Sequence, residues 1–213
     1  MSETKIYYQG SRPEVLDLIK HSPKRVLELG CGDGSFRRLL DDNLEYWGVE
    51  PFPDAAEKAR KNISKVLEGN YEEVLSDLPE DYFDLVICND VIEHFVDHDF
   101  FFKSIKSKIS KEGYIVGSIP NVRHLSNLIG LLWRKDWSYQ DDGILDRTHL
   151  RFFTEKSLKE VFSKHGYDQE SFKYLNIIKP RIHPPRRLFF NILILLLGKD
   201  TRPLQFGFRI KPK

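Results

Sequence analysis

The sequence is poor in cysteine and carries no excess of charge of either sign. Cys31 and Cys88 are its two cysteines in 213 residues, too few for a disulfide framework, and this favours a reducing compartment. Its 33 basic and 32 acidic residues leave a formal net charge of +1. That balance argues against a nucleic-acid-binding protein that works by bulk electrostatic attraction.

Long apolar segments are missing as well. The N-terminal segment MSETKIYYQG is polar and predicts no signal peptide, and the longest apolar run, 188–197, has about half the length that a membrane-spanning helix needs. The sequence contains no internal repeat. With 40% hydrophobic and 31% charged residues the composition is globular, so we expect a cytoplasmic protein with one domain over residues 1–213.

Strand-like and helix-like segments alternate along the chain, which predicts βαβ units and a mostly parallel sheet. The predicted strands are 24–29, 45–50, 65–68, 83–89, 114–119, 172–178 and 204–210. The predicted helices are 14–20, 35–41, 54–62, 98–109, 154–165 and 188–197, with Thr154 as an N-cap and Gly166 as a stop. Residues 121–151 break this rhythm and predict an inserted lid or acceptor-binding segment after the fifth strand.

A glycine cluster follows the first predicted strand. Gly30, Gly32 and Gly34 allow positive φ and close approach of a ligand, and the amides that follow favour an electronegative group. Glu50 ends the second strand about 20 residues later, where a carboxylate can accept hydrogen bonds from both ribose hydroxyls of an adenosine. The combination predicts an adenosine-containing cofactor, and the alternative is a tight turn beside a solvated strand end.

The spacing G-x-G-x-G, with Glu28 two residues before the first glycine, resembles motif I of the class I S-adenosylmethionine-dependent methyltransferases. Dinucleotide sites prefer G-x-G-x-x-G instead. The similarity extends over residues 7–178, and segment 83–94 is similar to the family's fourth strand with its Glu-His ending. The resemblance implies a Rossmann-like α/β fold: seven strands, mostly parallel, with helices on both faces and an antiparallel C-terminal hairpin.

The resemblance also implies S-adenosylmethionine as cofactor and a set of residues that bind it. Asn70 stands where the family often has an aspartate that contacts the adenine amino group. Arg12 could pair with the methionine carboxylate, and an ordinary surface ion pair is its alternative role. The implied cofactor site comprises Tyr8, Arg12, Glu28, Gly30, Cys31, Gly32, Gly34, Ser35, Phe36, Glu50, Pro51, Asn70, Tyr71, Asn89 and Asp90.

Segment 146–154 is typical of a subgroup that holds methyltransferases of bacterial surface-polysaccharide sugars and ubiquinone-type O-methyltransferases. The resemblance therefore implies methyl transfer to a hydroxyl of a small acceptor, foremost a sugar. Methylation of a phenolic or quinone-precursor hydroxyl, N-methylation, a nicotinamide-dependent dehydrogenase and a non-catalytic cofactor-binding module remain alternatives.

Methyl transfer to a hydroxyl needs a group that removes its proton, and histidine suits this role near neutral pH. His94 follows the fourth strand and His149 ends the predicted lid, so both are candidate bases; structural roles are the alternative for each. His124 is a weaker candidate for the acceptor pocket. Trp133 and Trp137 are expected on the underside of the lid, or stacked on the acceptor.

His94 and His98 lie four residues apart, with Glu93 and Asp97 beside them. A metal site needs three or four converging ligands, and Asp97 is better placed to cap the helix that carries His98. No metal is predicted. Segment 188–197 is expected to be buried between sheet and lid; its basic flank Arg186-Arg187 leaves a weak peripheral membrane contact as the alternative.

Overall fold

A computed structural model of the chain describes residues 12–20, 22–177 and 184–213. Its single sheet has the strand order β3-β2-β1-β4-β5-β7-β6. Strands β1 to β5 pair in parallel, and β7 lies antiparallel between β5 and β6. The predicted seven-stranded, mostly parallel sheet with a closing antiparallel hairpin is confirmed. The strands are β1 Arg25–Leu29, β2 Glu45–Glu50, β3 Lys65–Glu68, β4 Phe83–Asn89, β5 Ile109–Pro120, β6 Tyr167–Ile177 and β7 Pro203–Pro212.

At strand β1 the order in which the chain adds strands to the sheet reverses. The chain moves outward from β1 to β2 and β3, then crosses to the other side of β1 to form β4 and β5. In such sheets, ligands bind outside the carboxyl ends of the strands at this switch point. The ends of β1, β2 and β4 are therefore the place to look for a site.

Helices cover both faces of the sheet, as predicted. Leu27 and Leu29 pack in one buried cluster and Val26 in the other, because successive strand residues point to opposite faces. Cys31 and Cys88 are free, buried thiols, one in each cluster. The α-helices are α1 Pro53–Ala59, α2 Tyr71–Val74, α3 His98–Ser104, α4 Leu125–Ile129, α5 Glu155–Lys164 and α6 Pro184–Leu197.

Two predicted helices are 3₁₀ segments instead. The helix expected at 14–20 is a 3₁₀ segment over Pro13–Leu18, and the one expected at 35–41 is another over Ser35–Leu39. The second ends early because the Arg37 guanidinium donates to the carbonyl oxygens of Leu40 and Asp42, which holds the chain in a turn. Helix α3 is likewise shorter than 98–109, because Ile105–Lys108 form a 3₁₀ segment after Ser104 and β5 begins at Ile109.

The predicted burial of segment 188–197 is wrong. Helix α6 exposes Leu188, Ile192, Leu195 and Leu196, of which Leu195 is 83% accessible. The reason is that other helices already cover both sheet faces, and neither buried cluster contains any of the α6 side chains that the structure describes. No helix among the described residues is long and apolar enough to cross a membrane.

The segment predicted as a lid, 121–151, is an excursion closed at its base. Asn121 bridges to Phe153, and helix α4 continues into a π-helical turn over Gly130–Arg134. Trp133 is 82% exposed, so its expected place under the lid is wrong, whereas Trp137 packs edge-to-face on Phe152. This insertion therefore ends where Phe153 pairs with Asn121, directly after β5.

Candidate active site at the carboxyl edge of the sheet

The glycine loop after β1 adopts the backbone conformation that its sequence predicts. Gly30, Gly32 and Gly34 have φ angles of 65°, 55° and 75°, in the left-handed region. A Cβ atom on Gly30 would stand 2.6 Å from Cγ2 of Val91, so the position is also closed to side chains by packing. The Val49 carbonyl oxygen accepts hydrogen bonds from the amides of Gly30 and Cys31, which ties the loop to the end of β2.

Glu50, the last residue of β2, lies against this loop. One carboxylate oxygen accepts from the Gly32 amide at 2.8 Å, and the other accepts from the Phe52 amide at 3.1 Å. Burial raises the pKa of Glu50, and the hydrogen bonds from the Phe52 and Gly32 amides oppose that shift. The glycine loop and the acidic strand end therefore form one connected unit.

Several other predicted cofactor residues turn their side chains into the interior. Glu28 is 4% exposed, accepts a hydrogen bond from the Tyr46 hydroxyl at 2.8 Å, and has its pKa raised to about 8 by burial. Cys31 and Phe36 are core residues, and Tyr71 bonds through its hydroxyl to Ser104. These four side chains hold the loop and sheet in place.

The remaining predicted cofactor residues lie along the rim of the sheet edge. Asn70 precedes α2, where its backbone amide donates to a Glu73 carboxylate oxygen at 2.7 Å. The Ser35 amide donates to Asp33 at 3.0 Å, inside the glycine loop. Pro51 is exposed after β2. Tyr8 lies outside the described residues.

At the end of β4, Asp90 is the centre of a polar network. Its carboxylate lies 2.5 Å from the Arg12 guanidinium and accepts hydrogen bonds from Ser118 and Gln205. The structure therefore pairs Arg12 with an acidic residue of the sheet edge. Neighbouring Asn89 has a buried side-chain oxygen that accepts no hydrogen bond from the described part of the chain.

The two candidate catalytic histidines are brought together with Glu93. The rings of His94 and His149 have centroids 4.7 Å apart, and Nε2 of His149 lies 3.8 Å from a Glu93 carboxylate oxygen. The insertion holds this arrangement, since the amides of Leu150 and Arg151 donate to the Glu93 carbonyl oxygen at 2.8 and 3.1 Å. Burial, and then His149, lower the pKa of His94.

Glu93 is the member of this cluster that the sequence did not predict as a site residue, although it lies beside His94 in the sequence. It is 1% exposed, and burial raises its pKa well above the ordinary range. The signal was its position beside His94 directly after a buried parallel strand. His98 takes no part in this cluster: its ring packs against Phe153, while Asp97 caps α3 through the Phe100 amide as predicted.

His124, the weaker candidate, has a local structural contact. Its Nδ1 lies 2.7 Å from the Ser126 hydroxyl at the start of α4, and the residue is 2% exposed. It belongs to the base of the insertion.

Comparison with known proteins identifies the family. Residues 7–171 match the methyltransferase domain family. A mitochondrial ubiquinone biosynthesis O-methyltransferase from Bos taurus is 25% identical over 158 residues, covering 68% of this chain and 41% of that protein. Its counterpart from Schizosaccharomyces pombe is 32% identical over 120 residues, covering 51% of this chain and 42% of that protein. The chain thus spans about two fifths of the length of these curated relatives.

Solved structures share the fold at low identity. An S-adenosylmethionine-dependent methyltransferase from Archaeoglobus fulgidus superposes with a TM-score of 0.66 at 21% identity, covering 96% of this chain and 88% of that one. A possible histamine N-methyltransferase from Thermotoga maritima gives a TM-score of 0.64 at 21% identity, covering 94% and 87%. Since the family match spans most of the sequence and these structures share its fold, the chain belongs to the class I S-adenosylmethionine-dependent methyltransferases, and S-adenosylmethionine is its cofactor.

Proposed function

We infer that this methyltransferase transfers the methyl group to a hydroxyl of a small acceptor. The observation that carries the proposal is the unit of glycine loop and Glu50 at the switch point, with the His94–His149 pair at the same edge of the sheet. The glycine loop and Glu50 suit a nucleoside with an amino-acid tail, and the two histidines suit the hydroxyl of the acceptor.

The cofactor half of the site fits S-adenosylmethionine. Each carboxylate oxygen of Glu50 accepts one backbone hydrogen bond and has a lone pair left, so it can accept from a ribose hydroxyl as well. The left-handed turn through Gly30, Gly32 and Gly34 allows the backbone to approach the methionine portion, and Asn70 on the rim can meet the adenine. When bound, the cofactor supplies a methyl group already activated on a sulfonium.

The chain's own task is to orient the acceptor and prepare its hydroxyl. We infer that His94 and His149 act there: each ring is fixed through Nδ1, by Thr148 and Ile144 respectively. Alignment of the acceptor oxygen with the methyl group is what a fixed pair of rings provides. Removal of the hydroxyl proton is the step that they assist.

Two acceptor classes follow from different observations. Segment 146–154, which contributes His149, is typical of a subgroup that holds both sugar and ubiquinone-type O-methyltransferases, and the sugar members of that subgroup motivate a sugar hydroxyl. The two curated relatives are named for ubiquinone biosynthesis, which favours a phenolic hydroxyl on a quinone precursor. Because the chain spans about two fifths of those relatives, their activity is part of this proposal and not a finding.

The exposed apolar face of α6 supports a weak membrane contact as part of the same proposal. Leu188, Ile192 and Leu195 recur at the spacing of one helical face. Such a face lets a helix lie in the interface of a bilayer. It would bring the site close to an acceptor that is itself anchored in lipid.

A methyl-transfer assay tests the proposal. The purified chain is incubated with S-adenosylmethionine and a catechol or, separately, a nucleotide sugar, and we expect S-adenosylhomocysteine and an O-methylated product with one of them. Thermal unfolding supplies the binding control: S-adenosylhomocysteine at 100 times its Kd adds about 2.7 kcal/mol of stability. Stabilisation by NADH alone would instead favour a dehydrogenase.

A further inference from the structure

We propose that Glu93, His94 and His149 form a binding site for a divalent cation of the type that imidazole favours, Zn²⁺ or a first-row transition ion. One ligating atom from each residue lies within 4.8 Å of the others, a separation that a shared ion could close. Its binding stands on these residues alone; its use in catalysis rests on the proposed function.

The Glu93 side chain is the observation that calls for a ligand. It is 1% exposed, and neither carboxylate oxygen has a hydrogen-bond partner within the described residues. The contact to His149 Nε2, at 3.8 Å, is too long for a hydrogen bond. A buried carboxylate without partners is costly, and a bound cation would remove that cost.

Both histidines are held in the way that metal-bound histidines usually are. Nδ1 of His149 lies 3.0 Å from the Ile144 carbonyl oxygen, and Nδ1 of His94 lies 3.2 Å from that of Thr148. A carbonyl oxygen only accepts, so each Nδ1 carries the hydrogen, and in the neutral ring Nε2 then has the lone pair that a cation needs. This second contact fixes both tautomer and ring direction for ligation.

The ligands come from two parts of the fold that meet here. Glu93 and His94 lie in the turn after β4, and His149 lies at the end of the insertion. The Leu150 and Arg151 amides already bind the Glu93 carbonyl oxygen. A cation between the side chains would add a second link between the insertion and the sheet edge.

The donor set selects the kind of ion. Two neutral imidazoles and one carboxylate match Zn²⁺ sites with three protein ligands, and imidazole nitrogen suits Zn, Fe and Ni better than Mg or Ca. The carboxylate of Glu93 among these ligands favours a cation over an anion.

A site with three protein ligands leaves a position for the acceptor. In methyl transfer the acceptor O–H and the sulfonium S–CH₃ bonds break, the O–CH₃ bond forms, and the proton passes to solvent water. An acceptor hydroxyl bound to the cation loses its proton more readily, as metal-bound water does. The His94–His149 pair would then act by ligation.

Cation binding to the full, tag-free chain after chelator treatment is the direct test. Calorimetry with Zn²⁺, Mn²⁺ and Mg²⁺ is expected to give one site, with Zn²⁺ bound at least tenfold more tightly than Mg²⁺. Co²⁺ is expected to give visible absorption bands that Zn²⁺ displaces. Glu93→Gln and His149→Ala should each weaken Zn²⁺ binding more than tenfold.

His98→Gln is the matched control, because His98 lies four residues from His94 yet is not part of the cluster. It should bind Zn²⁺ as the wild type does. Absence of a stoichiometric site in the wild type, or equal loss in His98→Gln, would overturn the proposal. S-adenosylhomocysteine affinity, measured on each variant, shows that it is folded; should one variant be unfolded, His94→Ala replaces it.

The site and the proposed function fail in different ways. Tight cation binding without methylation of any hydroxyl would leave the site and remove the function. Undiminished O-methylation after the chelator, with no cation bound in calorimetry, would remove the site and leave the function.

Discussion

Glu50 is the single side chain on which cofactor recognition should depend most. We expect Glu50→Ala to weaken S-adenosylhomocysteine binding by about 1.5–3 kcal/mol, because it removes charge-assisted hydrogen bonds to the ribose and the tie to the Gly32 amide. Isothermal titration calorimetry measures the change. Glu68→Ala is the matched control, since Glu68 also ends a strand but pairs on the surface with Arg60. Equal affinity in both variants would place the ribose elsewhere.

At this scale the sequence predicts positions better than side-chain directions. The motif match correctly places Glu28 before the glycine loop, but the structure turns its carboxylate into the core, against the Tyr46 hydroxyl. The strand period contained that information: Glu28 shares a face with Val26, which packs in a buried cluster. The meeting of Glu93 with His149 had no such signal, because 55 residues of chain lie between them and only the closed insertion joins them.

At the level of elements, the sequence predicts a helix correctly where residues at both of its ends stop it through their own hydrogen bonds or backbone conformation. Helix α5 begins directly after Thr154, whose hydroxyl accepts from the Ser157 amide, and ends before Gly166, whose φ is 65°. The burial of α6 could not be predicted in the same way. Its apolar composition indicates that it avoids water, but whether sheet, lid or membrane covers it depends on which surfaces the other helices leave free.

The exposed face of α6 gives a prediction about membranes. We expect the wild type to sediment with vesicles that contain anionic lipid. The triple variant Leu188→Ser, Leu195→Ser, Leu196→Ser should bind these vesicles at least tenfold more weakly, which corresponds to about 1.4 kcal/mol. The reason is the loss of apolar area that enters the lipid interface.

The control for this experiment is Val96→Ser, since Val96 is 72% exposed but lies outside α6. It should leave sedimentation unchanged. If the wild type stays in the supernatant at low salt, or if Val96→Ser has the same effect as the triple variant, α6 is not a membrane contact.

For the whole molecule, the buried acidic residues couple global stability to pH. The sheet edge and its underside hold Glu28, Glu50 and Glu93, and burial raises the pKa of each. Function explains Glu50 through the cofactor and Glu93 through the proposed cation. The partner of Glu28 is the Tyr46 hydroxyl of the protein itself and not a ligand. The free-energy cost of burying the Glu28 carboxylate should therefore be measurable in the unfolding of the chain without ligands.

The pH dependence caused by Glu28 has a definite sign. In the unfolded chain a glutamate ionises near pH 4.3, whereas burial raises the pKa of Glu28 to about 8 in the folded chain. Between these values the folded state holds one more proton than the unfolded state. The free energy of unfolding therefore falls as the pH rises through this window, and the stabilisation is fully present only at low pH.

Glu28→Gln should remove this slope because its amide does not titrate. In urea unfolding without cofactor, we expect the free energy of unfolding of the variant, relative to that of the wild type, to rise by on the order of 2–4 kcal/mol from pH 5 to pH 8. Glu68→Gln removes a glutamate from the exposed end of β3 and should keep the wild-type profile. Parallel curves for the wild type and Glu28→Gln would mean that Glu28 is ionised in the folded protein, and that the Tyr46 hydroxyl and the nearby loop solvate its charge.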